Sequence, residues 1–252
     1  MKPISIQLYT LRDQAKTDFI GVLTRLAAIG YVGVEPAGLH GHKPEEIRKV
    51  LDGLGLRVSS AHGGTATREN LQETVDTAKA LGHSLVIAGK GPDGFKTLDD
   101  IKATAESFQQ AAELLKPHGI RMGYHNHWWE MELVDGKLGL EWLLELAPGL
   151  VSQTDLYWVS NFERVNVPQF VARHKARIVS LHAKDGPLTD SKANMVAVGS
   201  GKMDIPACVA AADEKVLEWV VVELDRCATD MFEAVEGSYR YLTSKGLAKG
   251  NK

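Results

Sequence analysis

Mostly apolar runs in this chain end repeatedly on a single residue of a type that binds metals or moves protons. The run Val216–Val222 stops at Glu223, the run at 150–155 stops at Asp155, and His182 lies near the end of the run at 177–183. An unpaired charge inside a buried strand is costly, whereas the end of a strand beside a loop can accommodate it. Two carboxylates and an imidazole that meet can ligate one divalent cation and leave positions open for a substrate.

A fourth ligand is expected from the segment "HNHWWEME", which follows the apolar run at 120–125. Glu130 is the candidate in this segment, and His125 is the alternative. The expected metal site therefore draws on four consecutive strand ends and consists of Glu130, Asp155, His182 and Glu223.

Each of these residues also has a purely structural interpretation. Asp155 can cap the segment that follows it, His182 can be a satisfied core histidine, and Glu130 can point to solvent. Glu223 can pair with Lys184 or Arg226. Independent coincidence at four consecutive strand ends is less probable than any one of these alternatives, so the sequence favours a shared site.

Further polar and aromatic residues near the strand ends are candidates for substrate binding. His125 and His127 alternate along a strand, so their side chains share one face. The aromatic residue Trp158 can form an apolar wall for a sugar, or it can simply anchor a loop. The predicted substrate-binding residues are Glu35, His62, His125, His127, Trp158 and Lys184.

The residues that precede and follow these ends form a regular alternation of strands and helices. The pattern predicts strands at about 4–9, 31–35, 56–61, 83–88, 120–125, 150–155, 177–183 and 217–223. Helices are predicted at about 16–29, 44–53, 67–81, 97–117, 139–146, 163–174, 204–213 and 230–244. Right-handed parallel β–α units close into a barrel at eight.

The predicted fold class is α/β, a single (β/α)8 TIM barrel that occupies residues 1–252 as one domain. A doubly wound open sheet is the alternative, but it requires a glycine-rich phosphate turn after the first strand. The segment "TLRDQAKTD" stands there and contains no glycine. In a parallel barrel the strand C-termini share one face, where active sites lie.

Composition excludes several classes of protein. A formal net charge of −3 provides no global basic field for nucleic acid. The apolar runs are far shorter than a membrane span. Cys208 and Cys227 have neither a disulfide framework nor thiolate metal spacing, and no secretory signal is evident, so we expect a cytoplasmic protein.

Several strings together resemble one known family. In order along the chain they are "IQLYTLRD", "HNHWWEME", "TDLYWV", "LHAKDG", "VGSGKMD" and "VVVELD". They resemble the xylose-isomerase-like TIM-barrel family of sugar phosphate isomerases and epimerases, which includes endonuclease-IV-like proteins. The resemblance implies one divalent metal, with manganese expected and magnesium, cobalt or zinc as alternatives. Asp155, His182 and Glu223 match three of the family's ligand positions, whereas the first ligand departs from its pattern.

The resemblance also implies a chemistry, in which the metal polarises a carbonyl and an adjacent hydroxyl of a small ketose or keto-sugar. Glu223 and Glu130 would then remove and return a proton through an enediolate, as an isomerase or epimerase does. Lys184 and His62 would steady the developing oxyanion or the substrate hydroxyls. A lyase that eliminates from a 3-keto sugar or glycoside is the alternative. A DNA-repair endonuclease and a non-catalytic sugar-binding barrel are weaker alternatives. Barrels of this kind often form homodimers, so a homodimer is an expected assembly.

Overall fold

The computed structural model describes all residues from Met1 to Lys252, and its strands recur along the whole chain. Each strand is short and mostly buried, as the apolar runs predict. The strands are β1 Lys2–Gln7, β2 Gly33–Glu35, β3 Arg57–Val58, β4 Ala61–His62, β5 Leu85–Ala88, β6 Arg121–His125, β7 Leu133–Val134, β8 Lys137–Leu138, β9 Val151–Asp155, β10 Ile178–Ala183, β11 Trp219–Val222 and β12 Ala248–Lys249.

Helices follow the strands and cover the outside of the sheet. They are α1 Arg12–Ile29, α2 Pro44–Leu54, α3 Leu71–Leu81, α4 Leu98–Leu115, α5 Gly139–Leu146, α6 Leu156–Val159, α7 Val167–His174, α8 Ile205–Ala211 and α9 Met231–Ser244. Helix α3 ends where Gly82 adopts a positive φ of 74°, a conformation that glycine accepts without strain. None of the helices has the length and apolar character needed to cross a membrane.

The predicted helices at 67–81 and 163–174 differ from the observed ones. Helix α3 starts four residues late, at Leu71, because the side chain of Asn70 accepts from the backbone N–H of Thr67 at 2.7 Å and holds that segment in a turn. The single helix predicted at 163–174 is preceded by the short α6, which begins directly after Asp155. The carboxylate of Asp155 caps α6 by accepting from the backbone N–H of Trp158 at 3.0 Å.

The main sheet is parallel and nearly closes on itself in the order β3-β2-β1-β11-β10-β9-β6-β5-β4. β3 and β4 are the two halves of the single strand predicted at 56–61. β3 pairs with β2, β4 pairs with β5, and Ser59 and Ser60 lie between them. The hydroxyl of Ser60 donates to Glu35 at 2.6 Å, so this segment bends toward the barrel interior where the strand changes partner. The predicted (β/α)8 barrel is confirmed.

Two apolar regions stabilise the barrel. The larger one lies between the sheet and the surrounding helices. The smaller one is inside the barrel and consists of Leu85, Ile87 and Val179, with Val151 packed against it. Gly123 makes room for it, since a Cβ atom there would lie 2.5 Å from Cδ1 of Ile87. We call this smaller region the floor.

Candidate active site

A cleft of about 590 Å³ opens at the C-terminal ends of the barrel strands. Residues at the ends of β4, β6 and β11 line it together with residues of the loops that follow the strands. The lining residues are Tyr9, Arg12, Ala37, His62, Gly89, His125, His127, Trp128, Trp129, Trp158, Ser191, Lys192, Glu223, Asp225 and Arg226. The site is therefore at the face where TIM barrels place their chemistry.

Four potential ligand residues meet at the bottom of this cleft. One ligand atom from each of His125, Asp155, His182 and Glu223 lies within 4.8 Å of the other three. Nδ1 of His182 is 2.7 Å from Oε2 of Glu223, and Nε2 of His125 is 3.8 Å from Oδ2 of Asp155. All four side chains are buried. The strand ends β6, β9, β10 and β11 are adjacent in the sheet, which is why these side chains converge.

Lys184 brings one positive charge into this acidic cluster. Its Nζ lies 2.8 Å from Oδ2 of Asp155, 2.9 Å from Oε2 of Glu223 and 3.0 Å from Oδ2 of Asp225. The side chain is only 1% exposed, so water screens these pairs weakly. Burial opposes its charge, but the three carboxylates raise the pKa of Lys184 well above its usual value.

His182 lies between two carboxylates. Its Nδ1 faces Glu223, and its Nε2 lies 3.4 Å from Oε1 of Glu35 on the opposite side. Burial alone would lower the pKa of His182, but Glu35 and Glu223 raise it to about 10. Glu35 is placed to hold the Nε2 proton, which leaves Nδ1 as the atom able to ligate. A carboxylate behind a histidine is a common way to orient a metal ligand.

The remaining members of the cluster divide into ionised and neutral groups. Burial alone would raise the pKa of Glu223, but Lys184 and His182 hold it well below its usual range. Burial raises the pKa of Asp155, and Lys184 only partly offsets this because the Glu223 charge lies beside it. Burial, together with His182, holds the pKa of His125 well below its usual value, so this imidazole is neutral.

Glu35 lies beneath the cleft, where its carboxylate is fully engaged. Oε1 accepts from Gln7 at 2.5 Å and lies 2.7 Å from Nε2 of His62, while Oε2 accepts from Ser60 and Gln153, each at 2.6 Å. Burial alone would raise the pKa of Glu35, but His62 and His182 hold it well below its usual range. Both oxygens are occupied by protein side chains and do not face a ligand in the cleft. Glu35 therefore does not make the predicted substrate contact, and it orients His62 and His182 instead.

Glu130 is not brought into the ligand group. Its carboxylate is buried behind the segment that follows β6, where Oε1 accepts from the hydroxyl of Tyr124 at 2.8 Å and Oε2 accepts from the backbone N–H of His127 at 2.8 Å. His125 stands in the group instead. Glu130 comes five residues after the end of β6, and the sequence carried no indication that Tyr124 would capture it.

The other predicted substrate-binding residues take two different positions. His62, His125, His127 and Trp158 line the cleft, as their location at strand ends predicts. Lys184 does not, because its ammonium is enclosed by the three carboxylates below.

One wall of the cleft is aromatic. The ring of His127 stacks on Trp129 with centroids 4.3 Å apart, and Trp128 meets Trp129 edge to face at 5.7 Å. Trp158 completes the wall and is 7% exposed. Such a surface suits the apolar face of a sugar ring.

Two cations also line the cleft. Arg226 lies in the loop that follows β11, and Lys192 lies in the loop that connects β10 to α8. The buried carboxylate of Asp185 anchors this loop by accepting from the backbone N–H groups of Gly186, Gly199, Gly201 and Met203 at 2.8–3.0 Å.

Several of these residues were missed by reasoning from the sequence. Gln153 and Asp225 each contact a predicted site residue, yet as isolated polar residues they gave no sign of function. Gln7, a polar residue at the end of the first strand, contacts Glu35 but is not among the predicted site residues. A usable signal exists for Gln153, which precedes Asp155 by two positions in a strand and therefore shares its face.

The donor set fits a divalent cation. Two carboxylates and two imidazoles converge, and Oδ2 of Asp155 is buried without a hydrogen-bond partner of good geometry. Oxygen and imidazole ligands together suit manganese, iron, cobalt or zinc better than they suit calcium. The loss of a proton from His182 would accompany binding, because a ligating imidazole must offer a lone pair.

Comparison with known proteins supports the assignment of the fold. The chain is 27% identical to a sugar phosphate isomerase/epimerase from Parabacteroides distasonis ATCC 8503, with a TM-score of 0.80 over 98% of this chain and 96% of that one. A D-allulose 3-epimerase from Methylomonas sp., solved with D-allulose, is 17% identical with a TM-score of 0.74, covering 97% and 96%. The IOLI protein with a bound zinc atom is 16% identical with a TM-score of 0.74, covering 97% and 99%.

No curated protein sequence matches the chain. The family model described as xylose isomerase-like TIM barrel matches residues 23–243. That range is most of the 252 residues and contains His125, Asp155, His182 and Glu223. The chain belongs to the xylose isomerase-like TIM-barrel family.

Proposed function

We propose that the protein is a divalent-metal-dependent sugar isomerase or epimerase that moves a proton next to the carbonyl of a small ketose or keto-sugar. The observation that carries this proposal is the convergence of His125, Asp155, His182 and Glu223 at the bottom of an open cleft. The 27% identity to a sugar phosphate isomerase/epimerase supports the reaction class.

The ligand set that we propose contains His125 in place of Glu130, because the structure holds the Glu130 carboxylate on Tyr124 and His127. A divalent ion at this position, with manganese as the expected metal, supplies Lewis-acid polarisation of the substrate oxygens. Glu35 fixes His182 from below, and Lys184 balances the charge of Asp155 and Glu223.

Glu223 is the proposed proton-transfer carboxylate, because it is the one acidic ligand that also lines the cleft. His127 replaces Glu130 as the second proton-transfer group. Its side chain is 34% exposed in the cleft, and its Nδ1 lies 3.7 Å from the buried carboxylate of Glu130. A positioned acid–base group accelerates proton transfer by about 10²–10⁴-fold. The tryptophan wall orients the sugar ring above these two groups.

The test is solvent-deuterium incorporation into a panel of ketoses with Mn²⁺ present, together with calorimetric titration of the metal-free protein with MnCl₂. For Glu223→Gln we expect exchange to fall by at least about 100-fold, since the proton acceptor is lost. Glu218→Gln is the matched control, because Glu218 lies before the same strand at the opposite end of the barrel. Its exchange rate should stay within about twofold of the wild type.

Two results would change the assignment. Wild-type protein that neither binds Mn²⁺ nor exchanges a carbon-bound proton in any ketose would overturn it. Release of a β-substituent from a 3-keto glycoside, without return of deuterium to a recovered sugar, would assign an elimination to the same site.

A further inference from the structure

Gln153 connects the ligand cluster to the carboxylate beneath it. It is fully buried in β9, two residues before Asp155, and its side chain points into the barrel. Its amide contacts Glu35 on one side and two histidines on the other. Nothing in the proposed proton transfer uses this residue directly.

The orientation of the Gln153 amide follows from its partner Glu35. Its terminal nitrogen lies 2.6 Å from Oε2 of Glu35, and an ionised carboxylate only accepts hydrogen bonds. The NH₂ group must therefore face Glu35, so the carbonyl oxygen Oε1 faces the histidines. Oε1 lies 2.7 Å from Nε2 of His62 and 3.1 Å from Nδ1 of His125.

This orientation decides where the histidine protons lie. A carbonyl oxygen cannot donate, so both ring nitrogens that face it must carry hydrogen. A neutral imidazole with its proton on Nδ1 has its lone pair on Nε2. For His125, Nε2 is the atom that faces Asp155, at 3.8 Å from Oδ2. Without the amide oxygen, the proton could move to Nε2, where the Asp155 carboxylate would accept it.

We propose that Gln153 is a positioning residue that locks His125 in its Nδ1–H tautomer and so presents Nε2 to a divalent cation. This inference rests on the proposed function, in that it assumes His125 as a ligand. Residues that orient metal ligands typically affect metal affinity by about 10–100-fold, and we expect an effect of that size here.

The experiment reads tautomer and affinity separately. Protein labelled with ¹⁵N-histidine is examined without metal by long-range ¹H–¹⁵N correlation spectra, which distinguish a protonated from an unprotonated ring nitrogen. His125 is assigned by comparison with His125→Gln. The same preparations are then titrated with MnCl₂ by calorimetry. The variant is Gln153→Leu, which keeps the volume and removes both polar functions.

Thr154→Val is the matched control. Thr154 is also fully buried in β9, and its hydroxyl forms one hydrogen bond, with the hydroxyl of Ser152 at 2.8 Å, which the valine variant loses. As the next residue along the strand after Gln153, Thr154 lies on the outer face of the barrel. We expect wild type and Thr154→Val to show His125 with hydrogen on Nδ1 and to bind Mn²⁺ within about twofold of each other. Gln153→Leu should shift the His125 signals toward the Nε2–H form and weaken Mn²⁺ binding at least about tenfold.

The wild-type spectrum decides the inference even if Gln153→Leu does not fold. Hydrogen on Nε2 of His125 in the wild type would overturn it, as would a Gln153→Leu protein whose His125 signals and Mn²⁺ affinity match the control. A wild type that shows the Nδ1–H tautomer but neither binds Mn²⁺ nor exchanges a carbon-bound proton in any ketose would leave the amide's positioning role standing and would overturn the proposed function instead.

Discussion

The interior of the barrel has two ends that are built from the same strands but from opposite kinds of side chain. At the cleft, Asp155, His182, Lys184 and Glu223 bury like and opposite charges within a few ångströms. On the floor, Leu85, Ile87 and Val179 form an apolar cluster. Strand β10 contributes to both, with Val179 at one end and His182 at the other.

Because its two ends lie in different environments, a strand such as β10 can contribute to stability at the floor and to chemistry at the cleft. Apolar packing on the floor is favourable whatever binds at the cleft. Buried charges at the cleft are costly unless each is compensated, and their compensation depends on Lys184 and on what the cleft binds. We therefore expect substitutions on the floor to change stability alone, and substitutions at the cleft to change a stability that depends on metal.

The largest effect on stability is expected for Lys184→Met at the cleft. Removal of the ammonium leaves Asp155 and Glu223 close together without their cation, and loss of one partner of a buried pair costs about 3–5 kcal/mol. Urea unfolding in EDTA measures this loss. Added Mn²⁺ should raise the melting temperature of the variant more than that of the wild type, because the ion replaces the missing charge.

A matched lysine controls for the loss of any ion pair. Lys202 pairs with Glu163 at 3.5 Å where both side chains are more than half exposed, so Lys202→Met should cost under about 1 kcal/mol. If Lys184→Met is as stable in EDTA as the Lys202 variant, the ammonium does not compensate the buried carboxylates and the comparison between the two ends fails.

A somewhat smaller effect is expected for Ile87→Ala on the floor. Ile87 is fully buried and packs against the space above Gly123, so truncation leaves a cavity that the rigid strands cannot fill. We expect a loss of about 2–4 kcal/mol in the free energy of unfolding. The loss should be the same with EDTA and with Mn²⁺ once the wild-type stabilisation by Mn²⁺ is subtracted, and deuterium exchange per folded molecule should be unchanged.

A metal-dependent loss in Ile87→Ala would contradict the separation of the two ends. It would show that packing on the floor is transmitted to the ligand cluster. The volume-conserving variant Ile87→Leu is the control, since it keeps the apolar contact and should cost less than about 1.5 kcal/mol.

From the sequence, a residue could be assigned to the cleft only where the strand pattern fixes its position. Asp155 and His182 end buried strands, and the count of strand–helix units placed them on one face. Glu130 follows a strand by five residues of loop, where periodicity carries no information, and the tyrosine hydroxyl that binds it comes from within β6. The break between β3 and β4 was likewise hidden, because Ser59 and Ser60 continue the run without any residue that stops a strand.

The smallest effect is expected for the ion pair at the outer edge of the floor. Arg121, at the start of β6, donates from both terminal nitrogens to Glu218, before β11, at 2.7 and 2.8 Å. The two side chains remain 36% and 41% exposed, so water and salt screen their attraction. A double-mutant cycle with Arg121→Ala, Glu218→Ala and the double variant should give a coupling energy of about 0.5–1 kcal/mol in urea unfolding, falling at high salt. A coupling near that of the buried Lys184 pairs would mean that this end too depends on charge, and the apolar floor alone would no longer explain its stability.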